Sequence, residues 1–567
     1  MTAAARDHRN SDRALIIAVA AIVFLLSILP MGRLLWEVIA PQNGSAAASL
    51  SRTLSAGSTW TATLNSLQIG IMGTALAMVL GTAVALTVGL TDVRGRHIFV
   101  FLYVLPLLIA PQVTALAWLQ LFGPASPLLK MLGLAPPLGS RNPLYSQSGI
   151  VLLLGVQYGP LVFLMIRAAL RKLPRELIEA AQSAGVSRWT VLRTIILPLI
   201  TPALIGAAAL SFVSCVGNFG IPAFLGIPAN YLVLPTLIYQ KLAGAGPAVL
   251  TEVTILSILI SVIALAGIVL QDMFSRRRDY RITATSLPPD PFGLGRWRPL
   301  VEAALAVLIV LVLVLPLTGL TLSSMVTAYG RKITLSELTL ANYAFVLTEH
   351  AAAPRAFRNS FGLSFVAAAL AVLIAVPMGY MMAWQRNRWT KILNFSVELP
   401  YALPGVVLAI AALLLFLKPI PLLGIQIYNT IWIILFAYCA RFLVLALRPT
   451  IVGYHQLDRG LEEAAQVAGA GLLMRLRTII FPLVAPATLA GGCLIFLTAL
   501  SELTVSALLW SSGSETIGVI IFSFEQGGDS SYAAAVSVLT VLTTIALMLG
   551  TNLLARHLPN GVLPWRD

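Results

Sequence analysis

Blocks of roughly 20 or more mostly apolar residues, divided by short polar loops, run the length of this chain. In hydrocarbon every backbone N–H and C=O must be satisfied internally, so only helices and closed barrels can cross it. About 20 helical residues span a hydrocarbon core of ~30 Å. A barrel would be written as ~10-residue segments of alternating polarity, and such segments are absent. The residues are 58% hydrophobic and 10% charged, and mean hydropathy is +0.90, which no soluble domain of this length sustains. The expected fold is therefore an all-α integral membrane protein. The first apolar run, Ala14 to Trp36, follows Arg6, Arg9 and Arg13. It is too long for a signal-peptide core and lacks a clear cleavage site, so it reads as a retained span.

Hydropathy places twelve spans near 14–36, 64–90, 98–122, 149–170, 202–226, 249–274, 299–323, 359–385, 394–417, 428–448, 486–510 and 532–556. With both termini in the cytoplasm, inside segments carry 26 Lys and Arg against 10 outside, and Arg441 falls within a span. Basic residues resist translocation, so the opposite orientation is rejected. The same rule accounts for the net charge of +15 without nucleic acid as a partner. Cys215, Cys439 and Cys493 lie in apolar blocks with neither metal-ligand nor disulfide spacing, and read as small core residues.

The chain is written twice. A basic, Pro-rich segment at 275–298 has the composition of a cytoplasmic linker between two six-span repeats, residues 1–274 and 299–567. Asn65-Ser66 and Asn359-Ser360 open spans two and eight, and Pro106 and Pro400 mark spans three and nine. From Leu177 to Leu204, 16 of 28 positions are identical under a shift of 284. An even number of spans per half makes the repeats parallel, related by an axis along the membrane normal.

The matched stretches are LIEAAQSAGVSRWTVLRTIILPLITPAL and LEEAAQVAGAGLLMRLRTIIFPLVAPAT, within inside loops at about 173–200 and 457–484. Each reads as a short Ala-rich helix with an aligned Glu179 or Glu463. A stop follows at Gly185 or Gly469, which favours positive φ, and then a second helix returns to the membrane. Small Ala180 and Ala181, or Ala464 and Ala465, let another protein approach closely, while the Glu supplies a fixed charge.

These residues carry a resemblance. EAA followed by Gly, a basic residue and LP resembles the cytoplasmic loop of bacterial ATP-binding cassette import permeases. The resemblance covers spans two to six and eight to twelve, and implies the type I importer permease fold. In that family the short helix is a coupling helix seated in a groove of the ATPase. It implies ATPase-coupling roles for Glu179, Ala180, Ala181, Gly185, Glu463, Ala464, Ala465 and Gly469. It also implies two ATPase subunits inside, which carry the ATP and Mg, and a solute-binding protein outside. Both halves on one chain, with NFGIPAFLG, LPTLIYQ, ELTVSALLW and GSETIGVIIFSF, are similar to fused iron(III) permeases of the bacterial inner membrane. Related permeases for thiamine, aminoethylphosphonate or polyamine share the architecture.

No GxxxxGK[ST] loop is present to cradle nucleotide phosphates, so energy must come from another chain. No His/Cys cluster suggests a resident metal, and no GxSxG elbow suggests a nucleophile. A secondary transporter would bury charges in several spans and has no use for paired EAA loops. A lipid-active intramembrane enzyme would need a polar catalytic set at one depth. Glu502, read as lying mid-span in the eleventh helix, aligns with Asn218 under the 284-residue shift. Since charges at membrane depth are costly, this pair is expected to face the translocation pathway. Glu502 paired with Arg441 is the structural alternative, and Gln157 in span four is expected to bond between helices.

Overall fold

The computed structural model describes residues 15, 17–41, 45–137, 139–244, 248–276, 292–326, 338–384, 388–420 and 424–554. The N-terminal arginines, the C-terminal residues from 555 and most of the expected linker lie outside these. Among the described residues there is no sheet, only an isolated bridge between Thr91 and Phe292.

The first half comprises α1 (Ile17–Ile39), α2 (Gly57–Leu90), α3 (Arg96–Leu108), α4 (Pro111–Phe122), α5 (Gln147–Leu170), α6 (Arg175–Ser183), α7 (Arg188–Gly217), α8 (Gly220–Leu225), α9 (Leu234–Leu242) and α10 (Val249–Phe274). The second follows the same order. It runs through α11 (Gly295–Ser324), α12 (Ala352–Trp384), α13 (Arg388–Ala402), α14 (Gly405–Phe416), α15 (Ile431–Gln456) and α16 (Arg459–Val467). It ends with α17 (Leu472–Leu500), α18 (Ser506–Leu509), α19 (Ile517–Gln526) and α20 (Ser530–Leu554).

The expected spans at 98–122 and 394–417 are not continuous. α3 and α4 meet at 101°, and α13 and α14 at 106°. Pro106 and Pro400 sit inside unbroken helix; the breaks come later, at Pro111 and Pro404. Proline cannot donate and pushes the residue before it out of the helical region. Ile109 and Ala110 are accordingly extended.

The expected spans at 202–226 and 486–510 also differ. α7 and α17 begin within the loops and stop at Gly217 and Leu500. Asn218 and Glu502 therefore lie just past helix ends, not mid-span. Proline shapes the long helices as well. The π-helical turns at Phe24–Ile28, Leu192–Ile196, Val310–Val314 and Leu476–Ile480 lie two residues before Pro30, Pro198, Pro316 and Pro482. A widened turn accommodates a ring that cannot complete the regular ladder.

Packing is close within each half and crossed between them. A Cβ at Gly81 of α2 would stand 2.4 Å from the Gly159 carbonyl of α5, so these helices touch backbone to backbone. That is how membrane helices gain contact without a hydrophobic drive. α1 packs on α14 of the other half, and α11 packs on α4. The two short helices α4 and α14 are thus buried on nearly every side at the centre of the molecule. The outward faces carry large apolar side chains, such as Phe365 and Leu373. Hydroxyls along the spans turn inward onto their own helices, as Ser66 does to the Ala62 carbonyl.

Candidate functional site

Two places concentrate polar chemistry. The first is the pair of EAA loops. α6 and α16 are amphipathic nine-residue helices ended by Gly185 at φ +75° and Gly469 at φ +85°. The chain closes each with the same bonds: Val186 N–H to Ala181 O at 3.1 Å, and Ala470 N–H to Ala465 O at 3.0 Å. This is the six-to-one bond of a helix finished in the left-handed region. Exposure matches in both copies. Glu179 and Glu463, Ala180 and Ala464, and Gly185 and Gly469 are exposed, while Ala181 and Ala465 are half-buried. The Glu179 carboxylate accepts from Arg175 one turn earlier.

The face turned toward the bundle differs between copies. Ile178 and Val191 belong to one buried apolar cluster in the first half. The same positions in the second are Glu462 and Arg475, a buried ion pair in which the Tyr380 hydroxyl also donates to Glu462 Oε1 at 3.2 Å. Nε and Nη2 of Arg475 are buried without acceptors. Sequence reasoning missed this set. Its signal was a Glu and an Arg, Glu462 and Arg475, where the first copy has apolar Ile178 and Val191.

The first loop has a further brace. Phe292 pairs with Leu90 and Asp92 through the backbone, and the Leu294 N–H donates to Asp92 Oδ1 at 2.8 Å. Arg298 also pairs with Asp92, and Arg188, just past α6, donates to the Gly293 carbonyl. The Leu294 amide, with Arg298 beside it, holds the Asp92 carboxyl below the usual carboxylate range.

The second place is the seam where the broken helices of the two halves meet. Gln157 holds the first break together. Its Nε2 donates to the Pro106 and Ile109 carbonyls at 3.0 and 3.1 Å, and its Oε1 accepts from Thr114 at 2.9 Å. Its repeat counterpart is Arg441, whose Nη1 has no acceptor and would lie 2.5 Å from a Cβ at Gly405.

Asn218 and Glu502 act as caps after their breaks. Asn218 Oδ1 accepts from Ile221 N–H, and its Nδ2 donates to the Tyr158 hydroxyl. Glu502 accepts from the Val505 and Ser506 N–H groups. Among the described residues no ion pair within 4 Å joins Glu502 to Arg441.

The Asn-Ser pairs seen in the sequence acquire a task here. Ser66 accepts from Leu234 N–H at the start of α9, and Ser360 from Ile517 N–H at the start of α19. Asn65 and Asn359 donate to carbonyls just ahead of those helices. No group of three or more His, Cys, Asp or Glu able to hold a metal occurs among the described residues.

Comparison with known proteins decides the family. The model for "Binding-protein-dependent transport system inner membrane component" matches twice, over residues 73–280 and 375–563. The chain belongs to this family. It is a fused ATP-binding cassette (ABC) import permease, a multi-pass inner-membrane protein with both permease units on one chain. It is 28% identical over 478 residues to Probable ABC transporter permease protein y4fN of Sinorhizobium fredii, covering 83% of each.

To the ferric transport system permease protein FbpB of Actinobacillus pleuropneumoniae it is 25% identical, over 78% of this chain and 63% of that one. The Salmonella typhimurium protein PhnV, named for 2-aminoethylphosphonate transport, matches at 27% over 46% of this chain and 98% of its own length. A solved bacterial ABC transporter involved in alginate import aligns at 18% identity with TM-score 0.37, over 46% of this chain and 96% of that one.

Proposed function

We propose that this permease imports iron(III), and that α6 and α16 are the seats of two cytoplasmic ATPase subunits. The observation that supports the seats is the matched presentation of Glu179 with Ala180 and Glu463 with Ala464 on two loops of one geometry. Large apolar side chains stand in water around them: Trp189 is 69% exposed, Val467 90% and Leu473 80%. A patch of that kind marks a surface meant to be covered. In this reading the loops, the linker and both termini are cytoplasmic. The ATPase subunits carry ATP and Mg, and a solute-binding protein docks outside. ATP binding closes the ATPase dimer, draws the two seats together and opens the pathway outward; hydrolysis resets it. The seam carrying Asn218 and Glu502 lines that pathway.

Resemblance to the ferric permease supports iron(III) as cargo. In this reading much of the selectivity lies in the binding protein. The likeness to PhnV, over 46% of this chain and 98% of PhnV, supports 2-aminoethylphosphonate as the second reading. Glu179→Lys with Glu463→Lys is expected to abolish copurification of the ATPase while leaving membrane insertion intact; wild-type assembly and uptake in that variant would overturn the seats. Proteoliposomes holding the whole complex, offered labelled iron(III) or 2-aminoethylphosphonate with the cognate binding protein, separate the two cargoes.

A further inference from the structure

Resting on the reading of the seam as pathway, we infer that Gln112 and Phe522 form its gate. Gln112 follows the α3–α4 break and is 1% exposed. Its Nε2 donates at 3.0 Å to the carbonyl of Ser501, which the end of α17 leaves without a helical partner. This bond joins one half to the other. Glycines make room for it from both sides. A Cβ at Gly220 of the first half would stand 3.3 Å from Gln112 Oε1, and one at Gly518 of the second 3.2 Å from Nε2.

One turn beyond Gly518 on α19, Phe522 enters a pocket of first-half rings. Its ring centroid lies 5.9 Å from Phe219, 5.6 Å from Phe224 and 5.6 Å from Tyr239. These tilted and edge-on arrangements are favourable for aromatic rings. Counted from the two helix starts, Leu234 and Ile517, the corresponding residue on α9 is Tyr239, so matching positions of the two halves meet ring to ring.

Three features make this a gate rather than ordinary core. Each participant sits on a short segment just past a helix break: Gln112 after Ala110, Phe219 and Gly220 after Gly217, Phe522 after Thr516. Such segments pivot without unwinding a span. α19 is tied at its start to Ser360 of its own half, and Arg355 holds Glu515 just ahead of it with two bonds of 2.9 and 3.1 Å. When the halves part, α19 leaves with the second, and Phe522 is withdrawn from the first. At this point of the seam the contact that breaks is one hydrogen bond and one ring cluster, a discrete two-state contact of the kind that switching needs.

The test is a disulfide lock. Phe219→Cys with Phe522→Cys, in a chain whose native cysteines are replaced, is assembled with its ATPase and binding protein in proteoliposomes and oxidised with and without ATP plus vanadate. A gate predicts high crosslinking without nucleotide, a severalfold fall in the trapped state, and hydrolysis that loses its stimulation by binding protein once the lock is closed and regains it on reduction. Equal crosslinking in both states, or stimulation untouched by the lock, would show permanent packing and overturn the gate. Hydrolysis by the unlocked complex is the control. Its absence would count against the ATPase reading, whereas its presence with static crosslinking counts against the gate alone.

Discussion

The two EAA loops share a backbone and differ in what fastens them. In the first, Ile178 and Val191 are buried among apolar neighbours. In the second, the same places hold Glu462 and Arg475, with Tyr380 where aligning Asn65 with Asn359 puts Leu86. The seam repeats the theme, with neutral Gln157 and Asn218 in one half and charged Arg441 and Glu502 in the other. A duplicated fold tolerates this because backbone geometry is set by the glycine stop and the prolines, which both copies keep. The side chains beneath are then free to be oil or ions. The cost is not equal. A buried ion pair gains little over well-packed apolar residues, yet losing one partner strands a charge.

The comparison breaks most sharply at Arg475. Arg475→Ala leaves Glu462 buried and unpaired, and is expected to cost about 3–5 kcal/mol, read as a large drop in the melting temperature of the detergent-solubilised protein. Rewriting the second loop as the first, with Glu462→Ile, Arg475→Val and Tyr380→Leu together, is expected to be neutral or stabilising by about 1–4 kcal/mol. A loss as large as that of Arg475→Ala would mean the two loops are not interchangeable.

At the seam, Gln157→Leu orphans the Pro106 and Ile109 carbonyls and is expected to cost about 1–3 kcal/mol. Arg441→Leu, whose Nη1 has no acceptor, is expected to cost less; equal losses in the same melt would erase the contrast. The smallest effect concerns the brace on the first loop. Asp92 is held below its ordinary range, so its contribution is present at neutral pH and is lost as pH falls through that lowered value. Hydrogen-exchange protection of the Leu294 amide is expected to fall only on strong acidification, and Asp92→Asn should remove that dependence.

Much of this was legible in the chain. Helicity follows from apolar block length, because hydrocarbon offers no other partner to the backbone. The stops at Gly185 and Gly469 were readable because positive φ suits glycine. The Asn-Ser pairs were visible as a repeat, but their bonds to Leu234 and Ile517 were not. Hydropathy also carried spans three and nine straight through their breaks, since Ala110-Pro111 and Leu403-Pro404 are as apolar as the helices they separate. It also ran spans five and eleven past Gly217 and Leu500, because the apolar stretches IPAFL and ALLW follow close behind Asn218 and Glu502.

What the sequence determined by itself is whatever depends on local chemistry and one solvent: helices, loops, the duplication, and the exposed EAA motif. What only the tertiary structure decided is which distant groups meet. The pairing of Glu462 with Arg475, the reach of Gln112 to Ser501, and the seating of Phe522 among Phe219, Phe224 and Tyr239 all depend on how helices cross. Between membrane helices that crossing is set by close backbone approach and by the partners freed carbonyls find, as at Gly81 against Gly159. Neither leaves a periodic trace in the order of residues.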